Sequence, residues 1–148
     1  MNSTVALIFS VAGALLVLLS AYGAVTRNRK AFISGFCFYS LLPIINESMA
    51  YGSDKASVHL LVVFIFLVQF VLEIPDNNMY GRDNAAAMAL VSKIGFAILI
   101  INVGAAIYVF GLNSGVPAQF GYYHVGFIIC LLYVMARRYT SNTIAWAK

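Results

Sequence analysis

Leu42-Pro43-Ile44-Ile45-Asn46-Glu47 is the stretch whose reading decides the fold. A proline, an amide and a carboxylate interrupt an apolar run here, and His59 opens the next one after the polar turn Ser53-Asp54-Lys55-Ala56-Ser57. If residues 31–50 cross a bilayer, the chain is a five-span bundle. If they do not, everything beyond them changes side.

The surrounding composition makes a bilayer the right frame. Of the 148 residues, 62% are hydrophobic and 9% charged, whereas soluble domains carry about 25% charged residues. The apolar residues gather in runs long enough at 1.5 Å per residue to match a hydrocarbon core of about 30 Å. Five runs emerge, over residues 5–25, 31–50, 58–72, 88–112 and 118–136, and together they form a single transmembrane domain.

Charge counting settles the doubtful segment. With five spans and the N-terminus outside, Arg27, Arg29, Lys30, Arg82, Lys93, Arg137, Arg138 and Lys148 all fall on the cytoplasmic side, leaving Lys55 alone outside. Eight of the nine basic residues then obey the positive-inside rule. If residues 31–50 stayed on one side, the split would be four against five, with no bias. The expected fold class is therefore all-α: a polytopic five-span bundle, N-terminus outside and C-terminus cytoplasmic. The expected localisation is that of an integral, multi-pass protein of a plasma, inner or organelle membrane.

Other signals agree. No Lys or Arg precedes the first apolar run and the basic cluster follows it, which reads as a retained anchor rather than a cleaved signal. Small residues at Ser10, Gly13, Ala14, Ser20 and Ala24 give that span a close-packing face. Pro75 stops the third span, Asp83 or Asn84 is placed to cap the fourth, and Trp146 anchors the tail. The polar stretch 73–84, with Glu73, Asp76 and Asp83, lacks the alternating ligands of a calcium loop and reads as solvated capping residues. Cys37 and Cys130 lie inside apolar runs and read as reduced packing residues. The sequons Asn2-Ser3-Thr4 and Asn46-Glu47-Ser48 lie too close to the membrane to be read as glycosylation sites. Basic residues scattered at segment ends do not form the stripe that nucleic acid requires.

This topology puts Asn46, Glu47, His59 and His124 in one layer toward the outer face, with Tyr51, Tyr108, Tyr122 and Tyr123 at similar depth. Intramembrane ionisable groups are costly unless paired or used. A Glu-His-His set suits a divalent metal. Two histidines from separate helices suit haem or a quinone head group. A carboxylate beside a proline-broken helix suits an ion or proton path. Against all three stand simpler assignments: Glu47 and His59 reaching interfacial water, and His124 in an aromatic belt. Asn102, the deepest polar residue, and Gln69 are expected to bond between helices, at about 0.6 kcal/mol each on average. Lys93 is expected to snorkel to the cytoplasmic interface.

With no soluble domain and no nucleophile–base set in the sequence, the expected function is a non-catalytic accessory subunit of a larger membrane complex or homo-oligomer. Its partners would be the lipid bilayer and other membrane subunits or copies of itself, not nucleic acid. The alternative is a membrane redox subunit holding haem, quinone or metal, or an ion- or proton-conducting protein, using Glu47, His59, His124 and Asn46.

Overall fold

A computed structural model describes residues 3–74, 85–112 and 115–141. All of its regular structure there is helical: α1 (Ser3–Thr26), α2 (Arg29–Asp54), α3 (Ser57–Glu73), α4 (Ala85–Gly111) and α5 (Ala118–Ser141). Each expected apolar run is a helix, its ends within five residues of the expected ones. The expected caps at Asp83 or Asn84, the basic residue Arg82 and the Trp146 tail lie outside the described residues.

Three helical stretches, Thr4–Thr26, Ser92–Gly111 and Ala118–Arg137, are long and apolar enough to cross a membrane. The other two differ, each for a visible reason. α2 runs unbroken through Pro43 for 26 residues but carries Asn46, Glu47 and charged ends. α3 is apolar but only 17 residues long.

The distribution of side chains is inverted relative to a soluble protein. Leu7, Leu15, Leu18, Phe64, Ile100 and Ile129 are more than half exposed, while Ser20, Ser40, Glu47, Gln69, Glu73, Asn102 and His124 are buried. In water such an apolar exterior would aggregate, and in hydrocarbon it is solvated. The polar groups turn inward because lipid offers them no partners.

The helices alternate in direction. α2 packs along α3 and α1, α4 pairs with α5, and α1 reaches across to α5, whereas α3 and α4 touch only lightly. We call the end carrying the start of α1, the α2–α3 turn and the α4–α5 connection the upper end. Toward the lower end, Ala24, Phe32, Phe36, Tyr39, Ile94, Ile98, Phe127, Cys130 and Leu131 form the core. Phe127 is fully buried there, its ring 4.4 Å from Phe36 and 4.6 Å from Tyr39. Cys37 and Cys130 are free thiols buried in this packing.

The small face of α1 is what lets the bundle close. A Cβ at Gly35 of α2 would collide with Ser20 and with the Leu16 carbonyl of α1, so only glycine permits this approach. Ser20 Oγ then donates to the Phe32 carbonyl at 3.0 Å, within the same interface. Higher up, Tyr123 of α5 donates to the Ser10 carbonyl at 2.9 Å and its ring lies over Gly13. At the lower end the Arg137 guanidinium donates to the Ala24 carbonyl at 3.2 Å, satisfying an orphan acceptor in the last turn of α1.

Candidate functional site

Where α3 and α4 part near the upper end, the bundle holds a cavity of about 450 Å³. That is within the range of about 300–1,000 Å³ typical of small-molecule sites. All five helices contribute walls, including Phe9, Leu42, Val62, Phe66 and Phe120, and the polar lining includes Asn46, Glu47, His59, Tyr108 and His124. The four residues singled out from sequence thus share one cavity. They do not form one cluster.

The first cluster is built by the α2–α3 turn. Pro43, Asn46, Glu47 and Ala50 recur at helical spacing and line the cavity from α2. Lys55 adopts a left-handed conformation (φ 60°), and its N–H returns to the Tyr51 carbonyl at 3.0 Å. Asp54 Oδ1 accepts from the Ala56 N–H at 2.8 Å. This two-residue turn brings the first turn of α3 back onto the last turns of α2. His59 Nδ1 consequently lies 2.6 Å from Glu47 Oε2 and His59 Nε2 3.0 Å from Asp54 Oδ2. Asn46 Nδ2 donates to the other Glu47 oxygen at 2.9 Å.

An imidazole between two carboxylates has limited options. Each contact needs one hydrogen, so either the ring is an imidazolium donating twice or one carboxyl carries a proton. Asp54 stands in the exposed turn, where the Ala56 N–H, and after it the His59 ring, hold its carboxyl below the usual carboxylate range. Glu47 is the acid that faces inward.

The second cluster is enclosed, with His124 at the cavity wall. His124 is 4% exposed and inside the bundle, so the aromatic-belt assignment is corrected: its neighbour Tyr122 points outward at 67%, while the ring of His124 turns in toward α2 and α4. His124 Nδ1 lies 2.9 Å from Asn102 Oδ1, and His124 Nε2 lies 3.4 Å from the Tyr39 hydroxyl. An amide oxygen only accepts, so Nδ1 carries the hydrogen, and the Tyr39 O–H donates to Nε2. Asn102 Nδ2 donates to the Ile98 carbonyl at 2.9 Å and to Gln69 Oε1 at 3.4 Å. The polar contacts of Asn102 and Gln69 therefore join α3, α4 and α5 and end on His124.

Glu73 is the residue that sequence reasoning misplaced. Assigned to a solvated polar loop, it is instead the last residue of α3, 2% exposed, with Oε2 3.0 Å from Ser40 Oγ. The physical reason is helical phase: Phe66, Gln69 and Glu73 follow at intervals of three and four and are the buried face of α3. That spacing was visible in the sequence, but Pro75 drew the boundary too early. The rest of the 73–84 stretch, from Pro75 on, lies outside the described residues.

As ligands, the residues are constrained by these bonds. Among the described residues no three of His, Cys, Asp and Glu converge to hold a metal ion. The geometry explains this at the first cluster, since Glu47 and Asp54 sit on opposite edges of the His59 ring. Haem ligation asks for ring nitrogens free to reach iron, and both nitrogens of His59 and of His124 face protein partners. The cavity instead offers an apolar body with Glu47, His59 and Asn46 on its rim, a lining suited to an organic molecule with a polar head. No known protein family matches the chain, and no curated protein or solved structure is significantly similar to it.

Proposed function

We propose that the protein is a non-catalytic accessory subunit of a membrane assembly whose working part is the upper cavity, which holds a small amphipathic molecule of the quinone class. The observation that carries this reading is the single cavity shared by Asn46, Glu47, His59 and His124. Its walls are apolar enough for a lipid-soluble body. Glu47, whose oxygens keep further lone pairs, supplies an acceptor and the second Asn46 Nδ2 hydrogen a donor for a hydroxyl or carbonyl head group.

In this reading all five helices cross the bilayer, with α3 the shortest, and the upper end faces outward because Lys55 is its only basic residue. The cavity then opens near the outer interface, where a lipid-soluble molecule can enter sideways between α3 and α4. The apolar outer surfaces of α1, α3 and α4 face lipid and neighbouring subunits.

Native mass spectrometry of the protein released from gentle detergent tests both halves of the proposal. A complex heavier than one chain, carrying an organic molecule that a short-chain benzoquinone displaces, is the expected result. A bare monomer that takes up no quinone would contradict it.

A further inference from the structure

The lower, dry part of the bundle contains a carboxyl group that the cavity does not explain. Glu73 lies among α2 and α3 side chains, about eleven residues, or ~16 Å, along α2 from its first residue. Among the described residues no cationic side chain pairs with it. An ionised carboxylate in such a place is expensive, and either a bound cation or its own proton must neutralise it.

The hydrogen count decides between them. Ser40 Oγ is 3.0 Å from Glu73 Oε2 and 3.1 Å from the Phe36 carbonyl, yet a hydroxyl has one hydrogen. Were Glu73 ionised, Ser40 would satisfy one of these acceptors and leave the other facing a lone pair. With the proton on Glu73 Oε2, both contacts are made: the acid O–H donates to Ser40, and Ser40 donates to Phe36. The remaining oxygen, Glu73 Oε1, and Gln69 Nε2 one turn earlier on the same face are both buried and both without a hydrogen-bond partner. A side-chain rotation or one bridging water satisfies the two together. Gln69 is itself bonded to Asn102, and Asn102 to His124, which lines the cavity.

We propose that Glu73, with Ser40 and Gln69, is a buried proton-binding site holding a neutral carboxylic acid, and that it exchanges this proton with the upper cavity along the Gln69–Asn102–His124 file. The exchange is a proton transfer only: the acid O–H of Glu73 breaks as its proton passes to a water entering beside Gln69, and the reverse passage returns a proton from the cavity, while the Gln69 and Asn102 amides line the path and keep their own hydrogens. The site is independent of the cavity's ligand and stands or falls separately from it.

Infrared difference spectroscopy of the protein in lipid reads this directly. The wild type is expected to show a protonated-carboxyl C=O band at neutral pH that shifts in D2O. Glu73→Gln, a neutral mimic of the same shape, should fold and lose that band, and Ser40→Ala should keep it at an altered frequency. Asn102→Leu should slow the deuterium shift on the order of tenfold or more, the equivalent of about 1.4 kcal/mol on the barrier. A wild type with no such band, or a band that survives in Glu73→Gln, would overturn the neutral acid. A Glu73 band that does not shift in D2O, or shifts as fast in Asn102→Leu, would overturn exchange with the cavity.

Discussion

The two polar clusters of this bundle use similar residues for opposite ends. The His59 cluster sits at the α2–α3 turn, its side chains partly exposed, with Asp54 reaching into solvent. The His124 cluster and Glu73 are almost fully enclosed, and the His124, Asn102 and Gln69 side chains there are bonded to one another across helices. A partly exposed cluster can turn a hydrogen bond toward a ligand, while His124, its two nitrogens tied to Tyr39 and Asn102 inside the bundle, serves the packing first. Ligand binding is therefore expected at the upper cluster, and the larger stability cost, around the Glu73 proton site, at the lower one.

Breaking the enclosed region should produce the largest loss of stability. Phe127→Ala removes a fully buried ring from between Phe36 and Tyr39 and should cost about 3–5 kcal/mol, read as a strongly lowered unfolding midpoint in lipid or detergent. In a lipid surround, that cost comes from lost contacts and a cavity rather than from hydration. Next, Asn102→Ala strands the His124 Nδ1–H and Gln69 Oε1 and should cost about 1–3 kcal/mol. Quinone binding at the cavity should survive this change, and its disappearance would mean that the two clusters act as one.

The contrast sharpens at the upper cluster. Glu47→Ala takes a buried carboxylate from His59 and Asn46 and should cost about 1–2 kcal/mol, while weakening the ligand strongly. The smallest effect belongs to Asp54. Its carboxyl is held below the usual range by the Ala56 N–H and His59, so it stabilises the turn above the unfolded-state value of about 3.9. That contribution fades as pH falls through the lower folded value. A modest acid-side loss of stability that Asp54→Asn lacks, followed by circular dichroism, checks the sign.

Much of the fold was legible because bilayer and helix impose simple lengths. The five apolar runs became α1 to α5, and the Ser20–Ala24 face of α1 packs on α2 and meets Arg137 as small residues should. The side chains of the site were legible only by layer. Counting turns placed His59 and His124 at one depth, but depth says nothing of azimuth, and it is azimuth that gives His59 to Glu47 and His124 to Asn102. Asp54 was read as a turn residue because its contact depends on the left-handed Lys55, a conformation that side-chain chemistry does not announce. Glu73 was missed because a polar residue beside a proline resembles a loop, although its 66–69–73 spacing already put it on the buried face.

The central claim, a ligand held at the Glu47–His59 rim, is tested most directly by titrating the lipid-embedded protein with a short-chain benzoquinol, whose hydroxyls can donate to Glu47, and following tyrosine fluorescence or thermal midpoint. Saturable binding to the wild type is expected, weakened about tenfold to a hundredfold in Glu47→Ala, the loss of one charge-assisted hydrogen bond of about 1.5–3 kcal/mol. The lipid-facing variant Leu15→Ala should bind as the wild type does. No saturable binding to the wild type, or equal binding in Glu47→Ala, would contradict the account.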